Sequence, residues 1–283
     1  MRKSFKSKLI SSFMSATMVL SLTAGFTKFD SPVKAEAAAT DYGLASNCQD
    51  GNILHCFGWK FSDIIDELPN IAAAGFTSVQ TTPVQPHSDT TAWYWLYQPT
   101  YFTVGNDYCT ADDVKRLCSE ADKYGIKVIV DVVANHVAGK DGNYNGGIDP
   151  DLKNSECFTN SGIESKNLSN EDWKIRSNVV RCNIGMPDLN SNSKTVQNKV
   201  KNLVQELKSY GVDGIRWDAA KHIGLPSDGY SFWDNVIDKD MYNYGEILDS
   251  PGGNENAIMK EYSQYMTVTD NRYGNSITGD IRD

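Results

Sequence analysis

Basic charge is scarce in this sequence, and it forms no cluster beyond the first residues. Of 283 residues, 27 are Lys or Arg against 36 Asp or Glu, which gives a formal net charge of -9. A chain without a basic track has no surface that would follow a phosphate backbone, so we expect no nucleic-acid partner. The composition, 40% hydrophobic and 22% charged, excludes disorder, collagen and coiled coil. It predicts a globular protein.

The sequence also lacks C-x-x-C, so no zinc or redox motif is indicated. It does contain 6 cysteines, all after residue 37. An even number in a secreted chain permits up to three disulfides, and Cys157 with Cys182 is the first pair we would expect. Buried free thiols are the alternative.

No long apolar run follows the one at the N-terminus, where residues 9–26 come after four basic residues at positions 2–8 and before Ala35-Glu36-Ala37. This order predicts a secretory signal peptide over residues 1–37, with a membrane anchor as the alternative. The leader takes 6 of the 27 basic residues and 2 of the 36 acidic ones, which leaves 21 against 34, or -13. We therefore expect a soluble, secreted, acidic protein with no membrane contact once the leader is removed.

Strand and helix patterns alternate along the remaining chain. Predicted strands cover 52–58, 77–84, 127–133, 213–218, 241–247 and 266–270, and predicted helices cover 62–74, 110–124, 194–210, 231–238 and 255–264. This alternation, without a G-x-G-x-x-G after the first strand, favours a (β/α)8 TIM barrel that is incomplete at the C-terminus over a doubly wound sheet. Residues 38–136 and 193–283 would form the barrel, with a small inserted domain over 137–192 after the third strand.

Polar residues lie at or near the C-terminal ends of the predicted strands, where barrel enzymes place their chemistry. They are Asn135, His136, Arg216, Asp218 and Glu246. Paired carboxylates are what glycoside hydrolysis requires, and Arg216 can keep Asp218 ionised. Taken singly, each acid at a strand end is more often a helix cap or a salt-bridge partner than a catalyst.

An aromatic segment lies between the second strand and the next helix. It contains Trp93, Tyr94, Tyr97 and Gln98. Rings on a loop suit stacking against sugar faces, and packing in the core is the alternative.

Four segments then give a specific resemblance. DVVANH (131–136), MPDLN (186–190), GIRWDAAKH (214–222) and YGEIL (244–248) resemble, in order and position, the segments shared by the α-amylase family of retaining glycoside hydrolases. The likeness extends over nearly all of residues 50–283 and is closest to bacterial secreted α-amylases.

The resemblance implies a role for each matching position. Asp218 would be the nucleophile and Glu246 the general acid and then base, while Arg216 would orient Asp218. Tyr97 would stack under the sugar, and His136 and His222 would bind its hydroxyls. Lys221, Trp93, Tyr94 and Gln98 would line neighbouring subsites. A structural Ca²⁺ is implied as the cofactor, held by Asn135, Asp188 and the His222 carbonyl, with oxygen ligands that suit this ion.

The family's third catalytic carboxylate would lie beyond Asp283, so we expect this chain to be the N-terminal portion of a longer enzyme, without the last barrel strands. The implied function is extracellular endo-hydrolysis of α-1,4-glucosidic bonds in starch or a related α-glucan, by a monomer. The alternatives are a glucanotransferase of the same family and a noncatalytic starch-binding fragment.

Overall fold

The computed structural model describes residues 42–88, 91–140, 143–144, 147–159, 167–248 and 252–269. All of them belong to one unit, Ala37–Asp283. The predicted signal peptide lies outside the described residues.

Six parallel strands form the main sheet, and their order in space follows their order in the chain. They are β1 (Ile53–His55), β2 (Ser78–Gln80), β3 (Lys127–Val133), β6 (Gly214–Asp218), β7 (Tyr242–Gly245) and β8 (Thr267–Val268). The Tyr244 hydroxyl on β7 donates a hydrogen bond to the Gln80 side chain on β2, although two strands separate them. The sheet therefore curls into half a barrel, as expected for an incomplete (β/α)8 fold.

Helices connect these strands and cover the sheet. They are α1 (Phe61–Ala73), α2 (Ala111–Asp122), α3 (Arg176–Arg181), α4 (Lys194–Ser209), α5 (Phe232–Val236) and α6 (Glu255–Tyr262). Thr110 and Asp113 form the reciprocal capping box that their spacing predicts, with the Asp113 N–H donating to the Thr110 hydroxyl at 3.2 Å. Helix α1 continues through Pro69 without a break.

The core lies between the helices and the outer face of the sheet. In β3, residues 128–133 are all buried, which is the pattern of a strand covered on both faces. Each helix turns an apolar stripe inward, and in α4 this stripe includes Val196, Val200, Leu203 and Leu207. Because the strands are buried, they hold the polar residues at their C-terminal ends in fixed positions.

Residues 137–192 form the long connection between β3 and α4, which we call the excursion. Its described residues include a two-stranded antiparallel pair, β4 (Gly139–Lys140) with β5 (Asn143–Tyr144), and the short helix α3. Cys157 and Cys182 are both buried there and form no disulfide with each other, so the pairing that we expected first is wrong. The Cys157 thiol instead donates to the Asp151 carbonyl oxygen at 3.8 Å.

Candidate active site

Arg216 lies at the centre of the site and binds three carboxylates. Its Nη1 donates to Asp218 Oδ1 at 2.8 Å and to both carboxylate oxygens of Asp131 at 2.9 and 3.1 Å. Its Nη2 lies 3.1 Å from Glu246 Oε2. Strand pairing explains part of this arrangement, because Asp131 on β3 and Arg216 on β6 are direct partners in the parallel ladder. The two predicted catalytic acids, Asp218 and Glu246, therefore meet at one guanidinium.

Asp131 is buried beneath this centre and connects it to the aromatic segment. The Tyr97 hydroxyl donates to Asp131 Oδ2 at 3.0 Å. The Tyr97 ring stacks on Phe57, with centroids 6.1 Å apart and planes at 13°, and Arg216 Cζ lies 6.0 Å from the Tyr97 centroid. These contacts fix the ring beside the carboxylates.

The site is acidic and largely removed from water, and both properties act on its pKa values. Burial raises the pKa of Asp218 to about 8, the negative charge of Asp131 adds to the rise, and Arg216 opposes it. Burial likewise raises the pKa of Asp131, again against the effect of Arg216. The same carboxylates raise the pKa of the Arg216 guanidinium, which therefore stays charged. Arg216 thus acts on the pKa of Asp218 in the predicted direction, against the larger effect of burial.

Glu246 follows β7 and is held from the turn that follows β6. The backbone N–H of Ala219 donates to Glu246 Oε2 at 3.0 Å. Ala219 has φ 49°, the left-handed region that an L-residue enters at a cost. This backbone conformation directs its N–H at the carboxylate.

A pocket of about 480 Å³ opens beside Glu246. Lys221 and His222 line it from the turn after β6, and Trp173 lines it from the excursion. The Lys221 ammonium lies 4.5 Å from the centre of the Trp173 ring. Two predicted sugar-binding residues thus share one cavity with a predicted catalytic acid.

The remaining predicted binding residues lie on the aromatic side. Residues Trp93–Tyr97 form a 3-10 turn in which Trp93 is 66% and Tyr94 46% exposed, and Gln98 ends that turn. His136 is buried, and its Nε2 donates to the Tyr97 carbonyl oxygen at 2.8 Å. Because burial lowers the pKa of His136 to about 4, the ring is neutral and its Nδ1 carries no proton.

Two of the predicted calcium ligands are in contact. The Asn135 side-chain amide donates to Asp188 Oδ1 at 2.7 Å, and both residues are buried. The His222 ring hydrogen-bonds the Val179 carbonyl oxygen at 2.8 Å, which brings the excursion to the same region. Within the described parts of the chain, no cluster of three or more His, Cys, Asp or Glu side chains is arranged to hold a metal.

Sequence reasoning missed Asp131 and Phe57. Asp131 lies inside the segment DVVANH, but within β3 and not at its end, where barrel enzymes place their site residues. An acid in an otherwise apolar, buried strand is itself a signal, since such a group needs a charged or hydrogen-bonding partner. Phe57 carried no comparable signal.

Comparison with known proteins identifies the family. The model of the α-amylase catalytic domain matches residues 54–278. The chain belongs to the α-amylase family. An α-amylase of Clostridium acetobutylicum is 36% identical over 301 aligned positions, which cover 98% of this chain and 38% of that one. An α-amylase of Butyrivibrio fibrisolvens is 28% identical over 87% of this chain and 28% of its own length.

Solved structures agree with the half-barrel. The X-ray structure of α-amylase I from Eisenia fetida matches with a TM-score of 0.66 and 24% identity over 79% of this chain and 50% of that one. This chain thus has the fold of an α-amylase catalytic domain, with an incomplete (β/α)8 barrel. It spans 38% and 28% of the length of the two relatives named above.

Proposed function

We propose that this chain carries the catalytic machinery of an extracellular, endo-acting α-amylase that hydrolyses α-1,4-glucosidic bonds in starch or glycogen with retention. The observation that carries the proposal is the Arg216 guanidinium, which binds Asp218 at 2.8 Å and Glu246 at 3.1 Å. Two carboxylates held together beside a sugar-sized pocket are the equipment that a double displacement needs.

In the first step, the Asp218 carboxylate attacks the anomeric carbon while Glu246 gives its proton to the leaving oxygen. The bond between that oxygen and the anomeric carbon breaks, and an ester to Asp218 forms. In the second step Glu246 takes a proton from water, the water oxygen bonds to the anomeric carbon, and the ester breaks. Two inversions at one carbon retain the α configuration.

The other residues orient the substrate. Arg216 holds Asp218, and Tyr97 stacks against the sugar that reacts. His136 and His222 bind its hydroxyls. The outer rings of Trp93 and Tyr94, with Gln98, extend the binding surface on one side, and Lys221 extends it on the other.

We also propose a structural Ca²⁺ held by the Asn135 side-chain oxygen, the Asp188 carboxylate and the His222 carbonyl oxygen. The donor set fits, because it consists of oxygen atoms and includes a carboxylate whose contacts are neutral donors, Asn135 and Thr159. Burial raises the pKa of Asp188 well above its ordinary value, and a cation bound there would oppose this rise. The ion would tie the excursion to the barrel.

Secretion, domain division and oligomeric state complete the proposal. Residues 1–37 would direct export, residues 137–192 would act as an inserted domain between the barrel parts 38–136 and 193–283, and the protein would be a monomer. In the described part of the chain, no helix is long and apolar enough to cross a membrane.

An activated substrate separates the two catalytic roles. Fluoride departs from a glycosyl fluoride without needing a proton from a general acid. The Glu246→Gln variant should therefore still form the ester from α-maltosyl fluoride, although it should no longer hydrolyse starch. Asp218→Asn should lose turnover of both substrates, because it lacks the nucleophile. Fluoride release and reducing-sugar release measure the two activities. Rapid fluoride release by Asp218→Asn would disprove the assignment.

A further inference from the structure

The excursion holds Lys221 at two points, its side chain and its backbone. Trp173 places its ring 4.5 Å from the Lys221 ammonium. Arg176, three residues later, donates from Nη1 to the Lys221 carbonyl oxygen at 2.7 Å. One short segment therefore fixes both ends of this residue.

Arg176 is itself held rigidly. Its Nε and Nη2 lie 2.9 and 2.8 Å from Asp228 Oδ2, and its Nη2 donates to the Tyr262 hydroxyl at 2.8 Å. That hydroxyl lies 2.7 Å from the Ile223 carbonyl oxygen and 3.1 Å from the Ala220 carbonyl oxygen, on either side of Lys221, and donates its one proton to this pair. A planar guanidinium with several fixed acceptors loses little freedom when it also binds the Lys221 carbonyl.

Position 252 shows how closely the chain packs against Arg176. A Cβ added to Gly252 would lie 2.7 Å from both the backbone nitrogen and Cα of Arg176. The loop after β7, the excursion and the turn after β6 thus converge on this residue.

The pocket that Lys221 lines receives the sugar on the leaving-group side, if the proposed roles hold. Nη1 of Arg216 faces Asp131 and Asp218, and its Nη2 faces Glu246. The pocket opens beside Glu246. Because Glu246 would protonate the leaving oxygen, the glucose that carries this oxygen must lie in that pocket.

We propose that Trp173 and Arg176 form a clamp that positions Lys221 and so sets the affinity for the glucose unit on the leaving-group side. The clamp rests on the proposed function. Trp173 and Arg176 are positioning residues, since both act through Lys221. Lys221 itself lines the pocket beside Glu246.

A double-mutant cycle tests the clamp. Maltotriose binding is measured by calorimetry with excess calcium, in the full chain carrying Asp218→Asn to prevent turnover. Trp173→Leu, Arg176→Lys and Lys221→Met should each weaken binding about fivefold. When Lys221→Met is already present, the other two substitutions should change Kd by less than about twofold, because what they position is gone. Trp173→Phe, which keeps a ring face, should retain most of the affinity.

Lys199→Met is the matched control. Lys199 on α4 also joins the excursion to the barrel, through Asp149 at 2.7 Å and Asp151 at 2.6 Å. Its loss should leave the maltotriose Kd unchanged. Melting curves show whether each variant folds. If Arg176→Lys does not fold, the Trp173 variants alone test whether the clamp acts through Lys221.

Two contrary results are distinguishable. If Trp173→Leu weakens binding equally with and without Lys221, the clamp is wrong although the proposed function stands. If the chain binds no maltotriose and releases no sugar from starch before any substitution, both are overturned.

Discussion

Arg216 shares one positive charge among the carboxylates of Asp131, Asp218 and Glu246. With all three ionised, this group would carry two excess negative charges in a site with little water. The raised pKa values of Asp131 and Asp218 are the physical consequence. The proposed nucleophile, Asp218, is costly for folding in such surroundings, as is common where function and stability compete.

That cost has a defined pH dependence at Asp218. Its pKa is about 8 in the folded chain against an ordinary value of 3.8, so between these values the unfolded chain releases a proton that the folded chain keeps. Stability therefore falls as the pH rises through this window, and the carboxylate has its full cost only above pH 8. Asp218→Asn removes the cost and should raise the free energy of unfolding by about 1–2 kcal/mol at pH 8.

Thermal melts at pH 4 and pH 8 measure this difference. The Tm of the Asp218→Asn variant should exceed the Tm of the parent mainly at pH 8. Asp66→Asn, at an exposed position on α1, is the control and should melt like the parent at both values. A gain from Asp218→Asn that is largest at pH 4 would contradict the raised pKa.

Single residues show where sequence reasoning stops. Asp218, Glu246 and Arg216 could be placed together because each lies within two residues of the end of a predicted strand. The role of Asp131 could not be predicted, because it depends on the register that pairs β3 with β6. The contacts of Arg176 with Lys221 and Tyr262 join segments 45 and 86 residues away, which local patterns do not encode.

At the scale of elements, the turn after β6 is the part of the site under strain. Ala219 has φ 49° and directs its N–H to Glu246. Glycine enters this conformation without penalty, so Ala219→Gly should not lower the free energy of unfolding. Ala219→Val should lower it by about 1–2 kcal/mol, because a branched Cβ makes the left-handed region worse.

Urea denaturation compares these variants with Ala257→Gly in α6. Ala257 is exposed and helical, so Ala257→Gly should lower the free energy of unfolding by about 0.5–1 kcal/mol. The same substitution is thus expected to be harmless at one site and costly at the other. An equal loss at both positions would mean that Ala219 carries no strain.

Elements with strong local signals could be predicted closely. The strand predicted over 127–133 is observed as Lys127–Val133, and the capping box places the start of α2 at Ala111. Weak signals gave longer strands than the structure has, as for 52–58 against Ile53–His55. The Cys157–Cys182 pairing was wrong because spacing in the sequence does not fix the separation and direction of two side chains.

At the scale of the whole molecule, the proposed calcium would couple the excursion to the barrel. An ion that binds only the folded chain stabilises it by mass action, by about 2.7 kcal/mol at a concentration of 100 times its Kd. We expect a higher Tm in excess calcium than in chelator. Asp188→Asn should abolish that difference, because it removes the charged ligand.

Asp149→Asn is the matched control, since Asp149 is another buried acid of the excursion and pairs with Lys199. It should lower Tm but keep the response to calcium. Melting curves that coincide with and without calcium in the parent chain would rule out the site.

The central claim is that Asp218 and Glu246 cleave α-glucans together. The most direct measurement is reducing-sugar release from soluble starch, with calcium, by the chain and by its Asp218→Asn and Glu246→Gln variants. We predict that each variant releases at least about 1,000-fold less sugar than the unsubstituted chain, since neither carboxylate can replace the other. Release that persists in either variant, or a chain that neither binds starch nor cleaves it, would contradict the account.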